Sequence, residues 1–344
     1  MKLARTLLLA SGLFTMAQAH ATLSFSSIAS SYNVFLSGDL GSSSVAYSGD
    51  SQGAMAIGGN AWLQSYSVSA SSTASGTALV VGGSLTQNGG TINGNAYVAG
   101  NASFPTNYGG TTVNGSLTYG GSLNSAPTQA GSISHNASAA SPLNFSAAEA
   151  TLQQTSAYLA TSSNFSASQT GTVSVAPWTT NNYVLTGTNS SLNVFTMTTA
   201  QLASLSSGSF TINAPSSSTV VINITGSSAT FGAPGNFGFF LNGVGASHVL
   251  FNLDTATSVN ISGLGVYGSI LAPNAAVTFN NGQLNGSLMA ASLSGSQWQG
   301  GQLNSVAFTG SLPSISPVPE PETFALFGLG FAGLILKRRR KARQ

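Results

Sequence analysis

The sequence lacks cysteine and has very few charged residues, and both absences exclude whole classes of function. None of the 344 residues is Cys, and only 4% are charged. The basic residues are confined to the two ends, at Lys2, Arg5 and within residues 337–343. Disulfides, Cys-ligated zinc and Cys nucleophiles are therefore impossible. Because the long stretch between the ends has no Lys or Arg, we expect neither nucleic-acid binding nor a Walker-type phosphate loop.

The remaining composition favours a folded body made of small, uncharged side chains. Hydrophobic residues make up 42% of the chain, whereas disordered segments usually combine low hydrophobicity with high net charge. The formal net charge of +2 comes from the ends, and the body between them is weakly acidic. We therefore expect backbone hydrogen bonds and close packing to hold the body together. The acidic residues of the whole chain are Asp39, Asp50, Glu149, Asp254, Glu320 and Glu322.

Residues 1–21 have the three parts of a secretory signal peptide. Lys2 and Arg5 supply the positive start, and residues 7–16 supply a short apolar core. Ala17–Ala19 then forms a small-x-small cleavage site, and Ala19–Ala21 is a second option. We therefore expect an exported protein whose folded domain begins at Thr22. The alternative is a buried N-terminal helix.

The C-terminal end combines three features in a fixed order. The motif Val318-Pro319-Glu320-Pro321 precedes an uninterrupted run of apolar and Gly residues from Phe324 to Leu336. At about 1.5 Å per residue, this run covers roughly 20 Å, which is short against about 30 Å of bilayer core. A basic cluster follows the run and would stay cytoplasmic. The cluster consists of Lys337, Arg338, Arg339, Arg340 and Lys341.

Residues 313–344 closely resemble the PEP-CTERM sorting signal of Gram-negative bacteria, in which the membrane protease exosortase removes the short transmembrane helix. The resemblance implies that Pro319, Glu320 and Pro321 are the sorting and processing residues and that the basic cluster is a cytoplasmic anchor. It also implies an inner-membrane intermediate, followed by a cell-surface or extracellular location and an association with exopolysaccharide. The alternative is a simple C-terminal membrane anchor with a rigid Pro-rich spacer.

Two helices are expected in a chain that otherwise consists of short β-rich segments. The pattern Ser146-Ala147-Ala148-Glu149 fits a capping box and predicts a helix from Ser146 to about Thr161. A second short helix is expected from Thr199 to Leu205. Segments such as Val220–Ile224 and Val249–Leu253, bounded by Gly, Asn and Ser, are typical of strands. The expected buried face of the first helix consists of Ala148, Leu152, Thr155 and Leu159.

Residues of like type recur every 18 positions in the C-terminal part of the chain. This period, built from short strands, predicts a solenoid in which equivalent side chains stack in the interior. We therefore expect a mainly β fold: a right-handed parallel β-helix, or β-solenoid, with coils of about 18 residues in the C-terminal part and one flanking α-helix. The alternative is a β-sandwich with coincidental spacing. The columns are Leu253/Leu271/Met289, Asn252/Ile270/Leu288, Val259/Val277, Ile261/Phe279 and Val266/Leu284.

A short phrase of Gly, Asn or Ser between apolar residues also recurs. The spacings between its first four copies are unequal, at 24, 17 and 15, so we expect coils of variable length in the N-terminal part. Because Gly and Asn tolerate left-handed backbone, the phrase is interpreted as a corner of the solenoid. The copies are Ile57–Ala61, Val81–Leu85, Val98–Ala102, Val113–Leu117 and Leu284–Leu288.

Two longer segments resemble a family of adhesin-like surface proteins. Residues 32–39 and 50–60 look like the opening of the choice-of-anchor A domain, and residues 268–279 with 285–287 look like its closing motif. The resemblance spans about residues 25–305 and places the domain at residues 22–312. It implies a β-helix with an associated helix, an adhesive function with no defined ligand, and a separate anchoring signal.

The titratable residues of the body do not form a recognisable catalytic set. A polysaccharide-degrading β-helix enzyme is the main alternative function, but a lyase needs a base that the body lacks, and an inverting hydrolase needs two carboxyls about 6.5–9.5 Å apart. Asp39, Asp50 and Asp254 are interpreted as turn residues. His135, assigned to a Ser/Ala-rich linker, and His248, at a strand start, have no third ligand nearby. We therefore expect no enzyme activity, no metal and no cofactor.

The sequence thus predicts an exported structural or adhesive surface protein. Its expected partners are exosortase, the inner membrane before processing, and exopolysaccharide or surface glycans. Ser, Thr and Asn can hydrogen-bond a glycan, and aromatic side chains such as Trp62, Trp178 and Trp298 could stack on one or belong to the core. The second alternative is an ice-binding protein, which would need a flat, regular Thr or Ser face.

Overall fold

The computed structural model describes residues 23–71, 76–136, 141–176, 181–231 and 238–315. Within Leu23–Pro313, short parallel strands stack coil on coil. The expected signal peptide and apolar helix, together with Pro319, Glu320, Pro321 and the basic cluster, lie outside the described residues. In the described part of the chain, no helix is both long enough and apolar enough to cross a membrane.

The strands are short and separated by corners rich in Gly, Asn and Ser. Those of the first half are β1 (Val34–Leu36), β2 (Tyr47–Ser51), β3 (Met55–Ile57), β4 (Ala61–Val68), β5 (Thr77–Val81), β6 (Leu85–Asn88), β7 (Gly90–Ile92), β8 (Asn95–Val98), β9 (Ala102–Ser103), β10 (Thr111–Tyr119), β11 (Leu123–Ser125) and β12 (Gln129–His135). Those of the second half are β13 (Thr172–Val175), β14 (Asn182–Thr186), β15 (Leu192–Thr198), β16 (Ser209–Ala214), β17 (Thr219–Thr225), β18 (Ser228–Phe231), β19 (Gly238–Gly243), β20 (Val249–Asn252), β21 (Ser258–Ser262), β22 (Gly265–Tyr267), β23 (Ser269–Asn280), β24 (Gln283–Asn285), β25 (Leu288–Ser294) and β26 (Gln302–Asn304).

Helices occupy the start of the body, the connection between its halves and a short stretch after β15. The expected second helix is confirmed, and a capping box of Thr198 and Gln201 explains its start. The α-helices are α1 (Phe25–Ser31), α2 (Phe145–Ala160) and α3 (Thr199–Ala203), and the 3-10 turns are Ser162–Asn164, Ser204–Ser207 and Ala246–His248.

Helix α2 begins slightly earlier than expected. Asn144 is its N-cap residue, and the Asn144 Oδ1 atom accepts a hydrogen bond from the backbone N–H of Ala147 at 3.1 Å. The predicted capping box of Ser146 and Glu149 is therefore wrong, because a preferred N-cap residue stands two positions earlier. The predicted buried face is confirmed, since Ala148, Leu152, Thr155 and Leu159 are all buried.

Equivalent strands of successive coils pair in parallel and form three faces. Face A contains, in order along the axis, β15, β17, β20, β23, β25, β1, β3, β5, β8, β10 and β12. Face B contains β18, β21, β23, β25, Leu40, β4, β6, β9 and β11. Face C contains β22, β24, β26, β2, β4, β7, β10 and β12. Strands β13, β14, β16 and β19 form a separate sheet.

The chain does not follow the solenoid axis from one end to the other. It begins in the middle, where β1 pairs with β3 on one side and with β25 on the other. The coils then run outward to β12, and α2 returns across face A. The Phe145 ring lies 5.8 Å from that of Phe35, and Leu159 O accepts a hydrogen bond from Asn223 Nδ2 at 2.7 Å. The second half starts at the opposite end with β15 and returns to the middle.

One column of inward-facing side chains runs through the whole solenoid. Its members share a position in face A, and all but the last are at most 2% exposed. This continuity explains how a chain with so few charges folds, because each coil buries its apolar residues against the next. The column consists of Phe195, Ile222, Phe251, Ile270, Leu288, Val34, Met55, Leu79, Ala96, Leu117 and Ile133.

Three of the predicted columns are confirmed, and the other two are wrong at their first member. The pairs Val259/Val277, Ile261/Phe279 and Val266/Leu284 align as expected and are buried. Elsewhere in the same coils, however, β20 and β23 align Phe251 with Ile270, so the spacing there is one position longer. The predicted period therefore holds between some pairs of strands and fails between others.

The predicted column of Leu253, Leu271 and Met289 shows the effect of this extra position. Leu271 does pair with Met289, but its other neighbour is Asn252. A shift of one residue turns a side chain to the opposite face of a sheet. Leu253 therefore belongs to the interior cluster, whereas Leu271 and Met289 pack outside face A with the helices. The same shift puts Phe251 where Asn252 was expected.

The recurring phrase builds a ladder of side chains at the corner between faces A and B. The side-chain oxygen of each residue accepts a hydrogen bond from the backbone N–H of its counterpart in the next coil. Asp39 Oδ1 accepts from Asn60 at 2.7 Å, and Asn60 Oδ1 accepts from Ser84 at 2.9 Å. Ser84 Oγ accepts from Asn101 at 3.1 Å, and Asn101 Oδ1 accepts from Ser122 at 2.8 Å. This corner ladder satisfies backbone groups that the strands leave unpaired.

Two copies of the phrase mark a different corner. Val113–Leu117 and Leu284–Leu288 lie where face C turns into face A, and Ser116 N–H donates there to Asn95 Oδ1 at 2.9 Å. The last of the three unequal spacings, which ends at Val113, is therefore not a coil length. The spacings of 24 and 17 are coil lengths, because they separate residues bonded across neighbouring coils.

Candidate functional site

Two exposed aromatic rings from distant parts of the chain meet on the surface of the body. Tyr108 is 47% exposed and Trp298 is 53% exposed. Their ring centroids lie 5.0 Å apart with the ring planes at 80°, an edge-to-face arrangement that is favourable. An exposed pair held in contact is a candidate binding surface, because large rings of this kind are mostly buried elsewhere.

Each ring is carried by a loop that joins face B to face C. The backbone N–H of Tyr108 bonds to Asn88 Oδ1 at 3.0 Å. The loop of Trp298 is tied to the neighbouring coil by a hydrogen bond from Asn281 N to Gln299 O at 2.9 Å. Trp298 has a φ of 65°, which is rare for a bulky residue and costs free energy. The loop therefore holds the Trp298 ring outward against a backbone preference.

Both faces that meet at these loops present uncharged polar side chains. Where face C turns into face A, Asn304 Nδ2 donates to Asn285 Oδ1 at 2.9 Å, and Asn114 Nδ2 donates to Asn93 Oδ1 at 2.6 Å. Such groups can hydrogen-bond hydroxyl groups of a ligand. The body offers no Lys or Arg for an anionic ligand. An outward column on face B carries Thr230, Asn260, Thr278 and Ser294.

The carboxylates of the body lie apart and have structural neighbours. Asp39 belongs to the corner ladder, whereas Asp50 lies within β2 on face C, so the interpretation of Asp50 as a turn residue is wrong. Burial raises the pKa of the Asp50 carboxyl, and a side-chain hydrogen bond with Gln302 opposes that shift. Asp254 lies in the turn after β20, as expected. Glu149 Oε1 accepts from the Gln153 side chain at 3.4 Å.

The two histidines of the described body also lie apart. His135 ends β12, so its assignment to a linker is wrong, and its Nε2 atom lies 3.2 Å from Gly120 O. His248 precedes β20 as expected, with Nδ1 3.2 Å from Ser247 Oγ. Within the described ranges, no three His, Asp or Glu side chains are grouped so that they could hold a metal ion.

A shallow polar pocket of about 350 Å³ lies where faces C and A meet. Gln52, Ser69, Asn93 and Ser305 contribute to its lining, which contains no acid, base or aromatic ring. Amide and hydroxyl groups of this kind can bind polar molecules but cannot supply general acid–base catalysis at neutral pH.

The three Trp residues that the sequence suggested as ligand-stacking candidates lie in different environments. Trp298 is exposed as one half of the pair, Trp62 is half-buried on face B, and Trp178 lies outside the described residues. Tyr108 was missed by sequence reasoning. The sequence feature that could have identified it is a large ring within the turn-forming run Thr106-Asn107-Tyr108-Gly109-Gly110, because side chains in surface turns are rarely buried.

Comparison with known proteins gives the family. The model of the family described as "Putative Ice-binding-like adhesive domain" matches residues 25–305, which is most of the chain. The chain belongs to this family. Residues 317–341 match the PEP-CTERM protein-sorting motif. The expectation of an adhesin-like domain followed by a sorting signal is therefore confirmed.

Two solved structures are similar to the ice-binding-like adhesive domain at low identity. One is an ice binding protein from an Antarctic Biological Consortium, with 14% identity, a TM-score of 0.34, and coverage of 80% of this chain and 86% of that one. The other is an ice-binding protein from the Antarctic ascomycete Antarctomyces psychrotrophicus, with 17% identity, a TM-score of 0.23, and coverage of 63% and 94%. A search of the curated proteins found no match.

Proposed function

We propose that the protein is a non-enzymatic, exosortase-sorted surface adhesin whose Tyr108–Trp298 pair binds neutral glycans of the extracellular polysaccharide. The exposed, edge-to-face pair on an uncharged body is the observation that carries this proposal. An aromatic ring binds the apolar face of a sugar, and amide and hydroxyl side chains such as those on faces B and C can bond sugar hydroxyl groups. Because the body has no cation, a neutral saccharide fits better than a sulfated or uronate-rich one.

The test is a glycan array probed with the purified mature protein and three variants. Trp298→Ala and Tyr108→Ala each remove one ring. We expect either change to weaken glycan binding by about fivefold to thirtyfold, since each ring accounts for about 1–2 kcal/mol. Tyr267→Ala is the matched control, because this ring is also 41% exposed but lies on face C away from the pair. Equal binding by all three variants would contradict the proposed site.

Processing by exosortase follows from the sorting motif. We expect the extracellular protein to lack the segment after the Pro319-Glu320-Pro321 motif, and mass spectrometry of the secreted form measures its C-terminus. Recovery of that form with an intact end at Gln344 would contradict exosortase processing.

Absence of catalysis is also part of the proposal. Asp39 and Asp50 are the carboxylates nearest to each other in sequence. Asp39 accepts a hydrogen bond in the corner ladder, and Asp50 lies within strand β2. We expect no release of reducing ends or unsaturated sugars from bacterial, plant or animal polysaccharides, with or without Ca²⁺. Release that disappears in Asp39→Ala or Asp50→Ala would favour the enzyme alternative.

Ice binding remains the second alternative. The outward column of face B mixes Ser, Thr and Asn without a repeated rank of Thr, so we place glycan adhesion ahead of it. A thermal hysteresis measurement on the mature protein distinguishes the two functions. Marked hysteresis that is lost when Thr278 is replaced by a bulky residue would favour ice binding.

A further inference from the structure

The interior column of the solenoid is closed at one end and open at the other. Phe195, its first member, is 1% exposed, whereas Ile133, its last member, is 43% exposed. Leu117, which pairs with Ile133 in the preceding coil, is 0% exposed. The same inward position is therefore shielded from solvent in every coil except the one that contains β12.

Additional chain covers the closed end. The backbone N–H of Gly171 donates to Val194 O at 2.9 Å, and Val194 N–H donates to Gln169 O at 2.7 Å, so this segment occupies the free edge of β15. Gly171 also lies directly against the Phe195 ring. Leu202 and the residues after it add further apolar cover. No further coil could be added at this end without displacing that cap.

Nothing equivalent covers the other end among the residues that the structure describes. There β12 pairs only with β10, and β11 pairs only with β9. Because peptide groups alternate along a strand, about half of those in β12 point away from β10. Leu123 and Ala130, which continue two further inward columns, are only partly buried. The open end thus combines a free strand edge with an uncovered section of the core.

Strand β12 itself lacks the residues that usually block strand pairing, although Pro127 lies two positions before it. Edge strands are commonly protected by Lys, by Pro or by charges that point inward. Strand β12 contains neither Lys nor Pro, and residues 122–136 carry no ionisable group except His135. Two copies of this end would therefore meet without charge repulsion.

The open end is also remote from the point where the C-terminal segment leaves the body. Gly310 packs against Thr219 at the start of β17. Nine strand spacings separate β17 from β12 on face A, which is about 40 Å at about 4.8 Å per spacing. A molecule tethered through its C-terminal segment therefore holds the open end far from the point where that segment departs.

We infer that the open end is a self-association surface. Strand β12 of one copy pairs antiparallel with β12 of a second copy about a two-fold axis, and the two Ile133 side chains cover the exposed core of each other. A two-fold contact uses the same patch twice and closes on itself, whereas a head-to-tail chain is blocked by the cap over β15. The contact joins two molecules whose C-terminal segments leave at opposite ends, and it does not depend on glycan binding.

The test is sedimentation velocity on the purified mature protein, from about 1 to about 200 µM, because a one-coil interface is small and we expect micromolar affinity. Ile133→Lys puts a charge at the centre of the contact, and Ile133→Thr keeps a β-branched residue while removing apolar area. We expect at least about tenfold weaker dimerisation from the first variant and a smaller weakening from the second. Val175→Lys is the matched control, since Val175 is 46% exposed but belongs to β13 at the closed end.

Hydrogen exchange of the β12 amides that point away from β10 provides a second readout. We expect protection that increases with protein concentration in the wild type and in Val175→Lys but not in Ile133→Lys. A wild-type protein that stays monomeric to the highest concentration overturns the inference. Concentration-independent protection of these outward amides in the monomer also overturns it, because another part of the same chain would then cover the edge.

Discussion

A buried amide network fixes α2 to the solenoid, and its removal is the sharpest test of the fold. Asn252 is 1% exposed beneath the helix. Its Oδ1 accepts from Ser156 Oγ at 2.6 Å, and its Nδ2 donates to Ser156 O at 2.9 Å and to Asn223 Oδ1 at 2.8 Å. Because α2 connects the two halves of the chain, this network ties the second half to the helix.

The expected cost of Asn252→Ala follows from those three bonds. Each intramolecular hydrogen bond contributes about 1 kcal/mol net, which gives about 3 kcal/mol. The change also leaves the Ser156 hydroxyl and the Asn223 Oδ1 atom buried with a partner missing, which adds about 1–2 kcal/mol. We therefore expect the free energy of unfolding to fall by about 4–5 kcal/mol.

Urea denaturation followed by circular dichroism measures the change. Asn260→Ala is the control, because Asn260 is an exposed Asn in the neighbouring strand β21, and such surface changes usually cost under about 0.5 kcal/mol. A loss below about 1 kcal/mol in Asn252→Ala, or one equal to the control, would refute the claim that this network fastens the helix.

Three further predictions concern the corners, the acidic residues and the salt dependence. Gly59→Ala should destabilise the body by about 1–3 kcal/mol, because the new Cβ would clash with Asp39 Oδ1 and lie 2.8 Å from the Gly38 carbonyl carbon. Gly245→Ala is the control and should have little effect, because the nearest atom to its new Cβ is 4.0 Å away. Because the pKa of Asp50 is raised in the folded state, the protonated carboxyl stabilises the fold at acid pH. This contribution to stability is lost as the pH rises from about 3.8 through the raised pKa. Asp50→Asn should therefore flatten this part of the curve of stability against pH, measured by thermal unfolding. Unfolding midpoints measured at about 0.05 and about 0.5 M NaCl should differ little, since the body has no Lys or Arg for ion pairs.

The sequence predicted the solenoid because its signal is local and repeated. Val259 and Val277 align as the period predicts, although Leu293, the next residue of that column, follows Val277 by only 16 positions. The prediction for Leu253 and Leu271 failed because the spacing between β20 and β23 is one position longer, and a single extra residue reverses the face of the strand. A period read from sequence can therefore identify coils before it can assign every side chain to the correct side.

The path of the chain and the aromatic pair could not be predicted in the same way. No local pattern indicates that β1 pairs with β25, from the other end of the sequence, or that α2 spans the coils between. Tyr108 and Trp298 are 190 positions apart in the sequence, and their contact depends on that closure. The candidate site is thus a consequence of the long-range topology, whereas the sorting motif is contiguous and could be recognised directly.

The shortage of charge connects the stability of the body with the contacts proposed for it. Each coil is joined to the next by strand pairing, by inward apolar columns and, along part of one edge, by the corner ladder from Asp39 to Ser122. None of these contacts between coils requires a cation. An uncharged surface gains little from long-range attraction to ionic polymers, so recognition must come from stacking, hydrogen bonds and strand pairing at short range. The Tyr108–Trp298 pair and the open end at β12 are the two places in the described body to which we assign such contacts.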